Sequence, residues 1–391
     1  MKNRSKIWIL GLLFLLLSCT TEPSIAEQRA QQAAQADREG TSDIVIAVAW
    51  PFSTSYHLLR QGIELAVQQI NDEGGILGRP LTVRWWMDDQ GSTSHGRLVA
   101  QYITNDSDVV AVIGHYKSDV SISASTIYQF SGILMLSPGS TNAKLTEQGL
   151  DLVFRSIPTD EEIGSRLAQY AQQQGYQRML ILAAKDTYGR GLANVFELEA
   201  PRQGIEIVDR LSYLPGSDDA FFKQILGRWK QLDFDAILVA GTTPEAARFI
   251  RQMGKAGIFT PVLGGDGLDS PELWGIGGHA AQGTVVATSF HHDAPGSERR
   301  TRFNTVFVDK YGIPPDAWAA QGYDAVKLLA YAMEKAGSTV PAKIGQALRS
   351  IDEWQGVTGS HTFDDNGNVS GKPVVLQQVQ GAQFKYLSGA D

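Results

Sequence analysis

At 391 residues, 43% hydrophobic and 19% charged, the chain has a globular make-up and is too long for one compact core. A formal net charge of −8 argues against nucleic acid or an anionic membrane surface as a partner. Cys19 is the sole cysteine, which excludes an internal disulfide, thiolate catalysis and a cysteine-based metal site in the body downstream of it.

Lys2, Arg4 and Lys6 precede an apolar run from Ile7 to Leu17, and Ser18-Cys19 closes it. The run is short for a bilayer span and has the layout of an export signal. A small residue followed by cysteine at that point resembles the lipobox of bacterial lipoproteins. The resemblance implies removal of residues 1–18 and a lipid on Cys19. Residues 19–41 carry few large apolar groups, and that composition predicts a flexible tether. The expectation is a soluble, monomeric body in the cell envelope, outside the cytoplasm, held to the membrane by its lipid.

From residue 42 the pattern alternates between strands and helices. Ile44–Ala49 reads as an apolar strand, and Leu59, Ile63, Ala66, Val67 and Ile70 recur at helical spacing until Gly74-Gly75. Leu81–Met87 comes next as a strand, and residues 94–102 as a helix. Further strands are expected at Val109–Ile113, Gly132–Leu136, Leu152–Ser156, Arg178–Ala184, Ile205–Leu211, Ala236–Ala240 and Pro261–Leu263. Strands separated by helical segments of this length make parallel sheets through right-handed crossovers, an α/β fold.

Val109–Ile113 has no polar alternation, which fits a strand buried on both faces. Gly114 ends it, and Ser118 and Asp119 are good caps for the next helix. Ser137-Pro138-Gly139-Ser140-Thr141 is expected to open a second helical segment. Two strand ends thus empty into two helix starts rich in hydroxyls and free amides, an arrangement that receives a small anion.

Ile70-Asn-Asp-Glu-Gly-Gly-Ile-Leu-Gly-Arg-Pro-Leu, Val112-Ile-Gly-His, Leu136-Ser-Pro-Gly-Ser-Thr-Asn and Asp186-Thr-Tyr-Gly-Arg-Gly together resemble the leucine/isoleucine/valine-binding protein family. These are the type I periplasmic substrate-binding proteins of ABC importers. The resemblance runs from about Asp43 to Tyr386 and implies two Rossmann-like lobes joined by three crossings, near Arg155, Val285 and residues 357–370. The first lobe would hold 42–155 and 286–357, and the second 156–285 and 358–391. It implies that Ser118 binds a ligand carboxylate, with Thr141 and the Gly139 backbone binding carboxylate and ammonium and Ser140 in the same turn. Tyr188 would close from the second lobe, and Asp266 would meet the ammonium. No cofactor or metal is implied; the partners would be a small solute and the membrane subunits of an ABC permease.

The chain departs from the family pattern at two places. Thr242-Thr243 stands where amino-acid-binding relatives carry an aromatic, and Tyr116-Lys117 where a branched-chain specialist would carry small or apolar groups. Trp50 and Tyr56 are further candidates for the cleft wall. Both departures point to a larger or more polar pocket.

Other constellations carry less. Trp85 and Trp86 fall on opposite faces of a strand, as packing would have them. His291 and His292 are expected to face apart and, with Asp293, to lack a third metal ligand. His115 is expected at the mouth of the cleft. No G-x-S-x-G elbow, P-loop or HExxH motif is present. Three functions remain open: an importer's solute receptor, a sensor working with a membrane signalling partner, and a secreted α/β enzyme.

Overall fold

The folded chain starts earlier than its composition suggests. In the computed structural model, which describes residues 22–52, 57–87 and 92–388, a capping box between Ser24 and Glu27 opens helix α1 (Ile25–Glu39). The export signal, Cys19 and Tyr56 lie outside the described residues. Arg29 is buried, and its guanidinium donates to the carbonyls of Thr104, Asp106, Val109 and Ser131 at 2.7–3.0 Å. Asp37 accepts from Arg79, Ser338 and Thr339. Residues 25–39 are therefore not the expected tether. Their anchorage rests on these polar contacts and on the small side chains of Ala30, Ala33 and Ala34 against the core, so a count of large hydrophobic residues misses it.

Five apolar runs form the first sheet: β1 (Ile44–Trp50), β2 (Leu81–Met87), β3 (Val109–Gly114), β4 (Leu134–Ser137) and β5 (Val153–Arg155). All pair in parallel, in the order β2-β1-β3-β4-β5. Helices α2 (Leu59–Asp72), α3 (Thr93–Thr104) and α4 (Ser118–Phe130) make the crossovers. Trp85 packs on Phe52, and Trp86 stacks on Tyr102, as their alternation requires.

The chain crosses to the second lobe after β5. There α5 (Asp160–Gln173), β6 (Arg178–Ala184), α6 (Thr187–Glu199), β7 (Glu206–Tyr213), α7 (Asp219–Trp229), β8 (Ala236–Ala240), α8 (Glu245–Lys255), β9 (Val262–Gly264), α9 (Glu272–Gly277) and β10 (Val285–Thr288) occur in turn. The return comes later than expected, because Val285–Thr288 are still ladder residues of this lobe. Helices α10 (Glu298–Tyr311), α11 (Ala317–Ala336) and α12 (Pro341–Arg349) then cover the first sheet, burying Phe303, Phe307, Trp318 and Ile344 in its core.

A small antiparallel sheet of β11 (Trp354–Gln355), β12 (Ser360–Phe363) and β13 (Val369–Ser370) also belongs to the first lobe. Phe363 and Val369 enter that core, and Phe363 lies 5.6 Å from Phe154, ring to ring. Residues 358–370 are thus not part of the second lobe, contrary to the boundary read from the resemblance. Strands β14 (Val375–Val379) and β15 (Phe384–Tyr386) cross back and add antiparallel to β10. The second sheet reads β15-β14-β10-β9-β8-β6-β7. In both sheets the strand order reverses at one point, β1/β3 and β6/β8. Such reversals open a crevice beyond the carboxyl ends of the strands.

Candidate ligand site

Every described residue lining the cavity between the lobes lies just past the carboxyl end of a strand. Tyr116, Lys117, Ser118 and Asp119 come after β3, and Gly139 after β4. Asp186 and Tyr188 come after β6, Thr242 after β8, and Asp266 and Gly267 after β9. The free room between them is narrow, about 20 Å³.

On the first-lobe wall, α4 begins at Ser118, and neither Ser118 nor Asp119 caps it. Lys117 holds the cap position without a side-chain hydrogen bond, and its carbonyl accepts from the Val120 and Ser121 amides. Among the described residues, the Ser118 hydroxyl and the Ser118 and Asp119 amides take no protein partner. Asp119 instead reaches the other lobe, where Thr187 donates to it through its amide, at 3.2 Å, and its hydroxyl.

The second expected helix start is absent. The Ser140 amide donates to Ser137 Oγ at 3.1 Å, and the chain continues into a short 3-10 turn, Ala143–Leu145, capped by Asn142. The Ser140 hydroxyl lies 2.5 Å from that of Ser121, and Thr141 Oγ1 donates to Asp160 at 2.6 Å. Both side chains are buried, and neither lines the cavity. Trp50 is also set back behind the wall, its ring 5.0 Å from that of Tyr116. Gly139 permits this layering, since a Cβ there would come within 2.7 Å of the indole. His115 is buried too, and bonds the Tyr128 hydroxyl at 3.0 Å rather than standing at the mouth.

On the second-lobe wall, Asp186 caps α6 by accepting from the Gly189 amide at 2.7 Å. Burial raises its pKa, and nearby Lys117 opposes that rise. Tyr188 donates its hydroxyl to Asp266 Oδ1 at 2.9 Å and accepts the Gly267 amide at 3.0 Å. A side chain on Gly265 would strike the Tyr188 hydroxyl, and one on Gly267 would strike its ring, so the glycines flanking Asp266 let this pair form. Burial pushes the Asp266 carboxyl up to about 7; the Tyr188 hydrogen bond opposes this, while Asp160 and Asp269 add to it. Among the described residues no cation is in hydrogen-bond or ion-pair contact with this carboxyl.

The lobes meet around the cavity. Asn142 Nδ2 donates to Asp160 at 2.9 Å and to the Thr187 carbonyl at 3.1 Å. A Cβ on Gly191 of α6 would come within 2.2 Å of both Asn142 and Asp160, so only glycine allows the approach. Of the residues named from the sequence, the structure brings Tyr116, Lys117, Ser118, Gly139, Tyr188, Thr242 and Asp266 together and leaves out Trp50, Ser140 and Thr141. Asp119, Asp186 and Gly267 also line the space. Asp186 shares its motif with Tyr188, where it reads as a helix cap, and Gly267 adjoins Asp266, where it reads as a turn glycine.

Among the described residues, His291, His292 and Asp293 form a group close enough to share a metal ion. The two imidazoles stack at 4.5 Å rather than facing apart, and Asp293 lies beside them as a third group. His291 Nδ1 accepts the Asp293 amide and Nε2 faces the Phe384 carbonyl, so both ring nitrogens are already engaged. Burial and the neighbouring ring push its pKa down to about 4.

A family model described as periplasmic binding protein matches residues 43–383. The chain belongs to the periplasmic binding protein family. It is 32% identical over 345 residues to Leu/Ile/Val-binding protein homolog 1 of Brucella abortus, covering 88% of this chain and 91% of that protein. An ABC transporter substrate-binding protein of Desulfitobacterium hafniense, solved in complex with Leu, is 40% identical. It superposes with a TM-score of 0.78, covering 88% of this chain and all of that one. The leucine-binding protein LivK of Thermotoga maritima gives a TM-score of 0.82 at 29% identity, with 88% and 98% covered. Membership carries a solute-binding rather than enzymatic role and a place outside the cytoplasm. Among the described residues, no helix is long and apolar enough to cross a membrane.

Proposed function

We propose that the chain is the solute receptor of an ABC importer and that its solute is a free amino acid. The observation that carries this reading is the polarity across the cavity. The open end of α4, with the Ser118 hydroxyl and free amides, stands on one wall, and Asp266 with no cation in contact stands on the other. An α-carboxylate suits the first, through amide donors and the positive helix end. An α-ammonium suits the second, since it supplies the missing countercharge. Tyr188 holds Asp266 in place, and the Asp119–Thr187 and Asn142–Asp160 contacts keep the lobes shut over the ligand.

Among the described residues none of the lining side chains is aliphatic; Tyr116, Lys117, Asp119, Asp186 and Thr242 surround what is left of the space. That composition supports a solute with a short or polar side chain more than a branched aliphatic one. Handover to a membrane permease accords with this reading, as does a lipid on Cys19 that keeps the receptor beside it. Isothermal titration with the twenty amino acids tests the first step, and saturable one-to-one binding of at least one is expected. No heat from any of them, or turnover of a bound one, would reject the reading. Loss of uptake of the bound amino acid in a strain lacking this protein tests handover.

A further inference from the structure

Lys372 lies on the third crossing, between β13 and β14, and is buried. Its ammonium donates to the Ser156 carbonyl at 2.7 Å, Thr358 Oγ1 at 2.6 Å and His361 Nε2 at 2.9 Å. Three donors thus meet three acceptors. His361 uses Nδ1–H toward the Gly359 carbonyl at 3.1 Å, which leaves Nε2 as the acceptor. The Thr358 hydroxyl passes its own proton to Asp324 of α11 at 2.6 Å, and Asp324 also takes the Val357 and Thr358 amides, each at 2.8 Å. Burial lowers the Lys372 pKa to about 7, and the carboxylates of Asp324 and Glu162 oppose that fall.

The acceptors come from two places. Ser156 sits on the first crossing, just past β5, while Thr358, His361 and Asp324 belong to the first lobe. Next to these ties, at the end of β5, the Arg155 amide donates to the Gly367 carbonyl at 2.9 Å and its guanidinium donates to Asn368, which fixes the first-lobe ends from which both crossings leave. Outside these ties, 157–159 and 373–374 are the short links that lead into α5 and β14. Because Lys372 reaches Asp324 only through the Thr358 hydroxyl, the network ties the two crossings to α11 by a directional chain of hydrogen bonds, and its contribution is fixed geometry.

We propose that Lys372 is a hinge-positioning residue: it pins the first and third crossings to the first lobe, so that on these two crossings opening and closing bend at 157–159 and 373–374, while the second crossing bends separately between β10 and α10. The proposal goes beyond the importer reading and needs from it only that the lobes move.

Spin labels at Gln101→Cys and Leu198→Cys, one per lobe, in a full-length Cys19→Ser background at pH 6.5 measure the interlobe distance without ligand. The Lys372→Met variant is expected to broaden that distribution and to weaken binding of the amino acid that gave the tightest titration about fivefold, as a shift toward open states would. Ser156→Ala is expected to change neither, because its main-chain carbonyl makes the contact. An unaltered distribution in folded Lys372→Met, or an equal broadening in Ser156→Ala, overturns the proposal. If Lys372→Met does not fold, Thr358→Val keeps the lysine and cuts its link to Asp324; it must then broaden the distribution, or the proposal fails. A wild-type protein that ignores every amino acid rejects the importer reading, while the ligand-free distances still decide the hinge.

Discussion

On the first-lobe wall of the cleft the donors are unspent: the Ser118 hydroxyl and the leading amides of α4 bond nothing else among the described residues. On the second-lobe wall the acceptor is already in use, with Asp266 gripped by Tyr188, which is itself held by the Gly267 amide. The contrast has its origin in charge. Neutral donors beside a helix end face a small cavity cheaply, whereas a buried carboxylate needs support until a cation arrives. One wall therefore waits without internal strain, and the other keeps an ion in an unfavourable place.

The largest effect should come from the supported wall. Asp266→Asn is expected to lower amino-acid affinity at least ~100-fold, as loss of a buried charge partner does. In the ligand-free protein it should raise stability by about 2 kcal/mol at pH 8. Calorimetry and urea unfolding read the two, and a variant that loses both affinity and stability would break the contrast. Linkage sets the sign. Because the folded pKa is raised to about 7, the native state holds this proton more firmly than the unfolded chain. The resulting stabilisation is present at low pH and is lost as pH rises toward 7.

Affinity should move the opposite way. An ammonium needs the ionised carboxylate, so binding should weaken as pH falls from 8 to 5.5, with the bend near 7 set by Asp266. In Asp266→Asn that bend should disappear; its persistence would assign the titration to another group.

On the waiting wall, Ser118→Ala should cost about 1.5–3 kcal/mol of binding and leave the melting temperature of the ligand-free protein in place. Thr141→Ala separates the two walls further. Its hydroxyl supports Asp160, whose carboxyl burial pushes up to about 6, so the change should cost roughly 1–2 kcal/mol of stability. Its effect on affinity should be the smaller one. The smallest expected change is at the rim. Thr187→Val removes the hydroxyl bond to Asp119 but keeps the amide bond, and should speed ligand release only a few-fold, about 0.5–1 kcal/mol.

Strand positions were legible because buried parallel strands read as unbroken apolar runs. Arg178–Ala184 and Ala236–Ala240 fall where that pattern puts them. Motif resemblance names Ser118, Tyr188 and Asp266, and all three line the cavity. Thr141 shows the limit of that method, since a hydroxyl in the right turn gives no sign of which neighbour it will bond. The boundaries misread at Val285 and residues 358–370 share a cause, because short strands carry too little periodicity to reveal which sheet they join. Asp119 was read as a cap because its true partner, Thr187, lies on the other lobe.

Arg29 makes residues upstream of the matched stretch part of the first lobe. The stretch that matches the family starts at residue 43, yet the guanidinium that fills the slot between Thr104, Asp106, Val109 and Ser131 sits well upstream of it. Gly132 has its backbone so close to Ala26 that a methyl group there would collide with it, which fits a lobe shaped around that plug. A protein trimmed to the matched stretch would leave four main-chain oxygens facing an emptied socket at the amino end of β3, the central strand of the sheet.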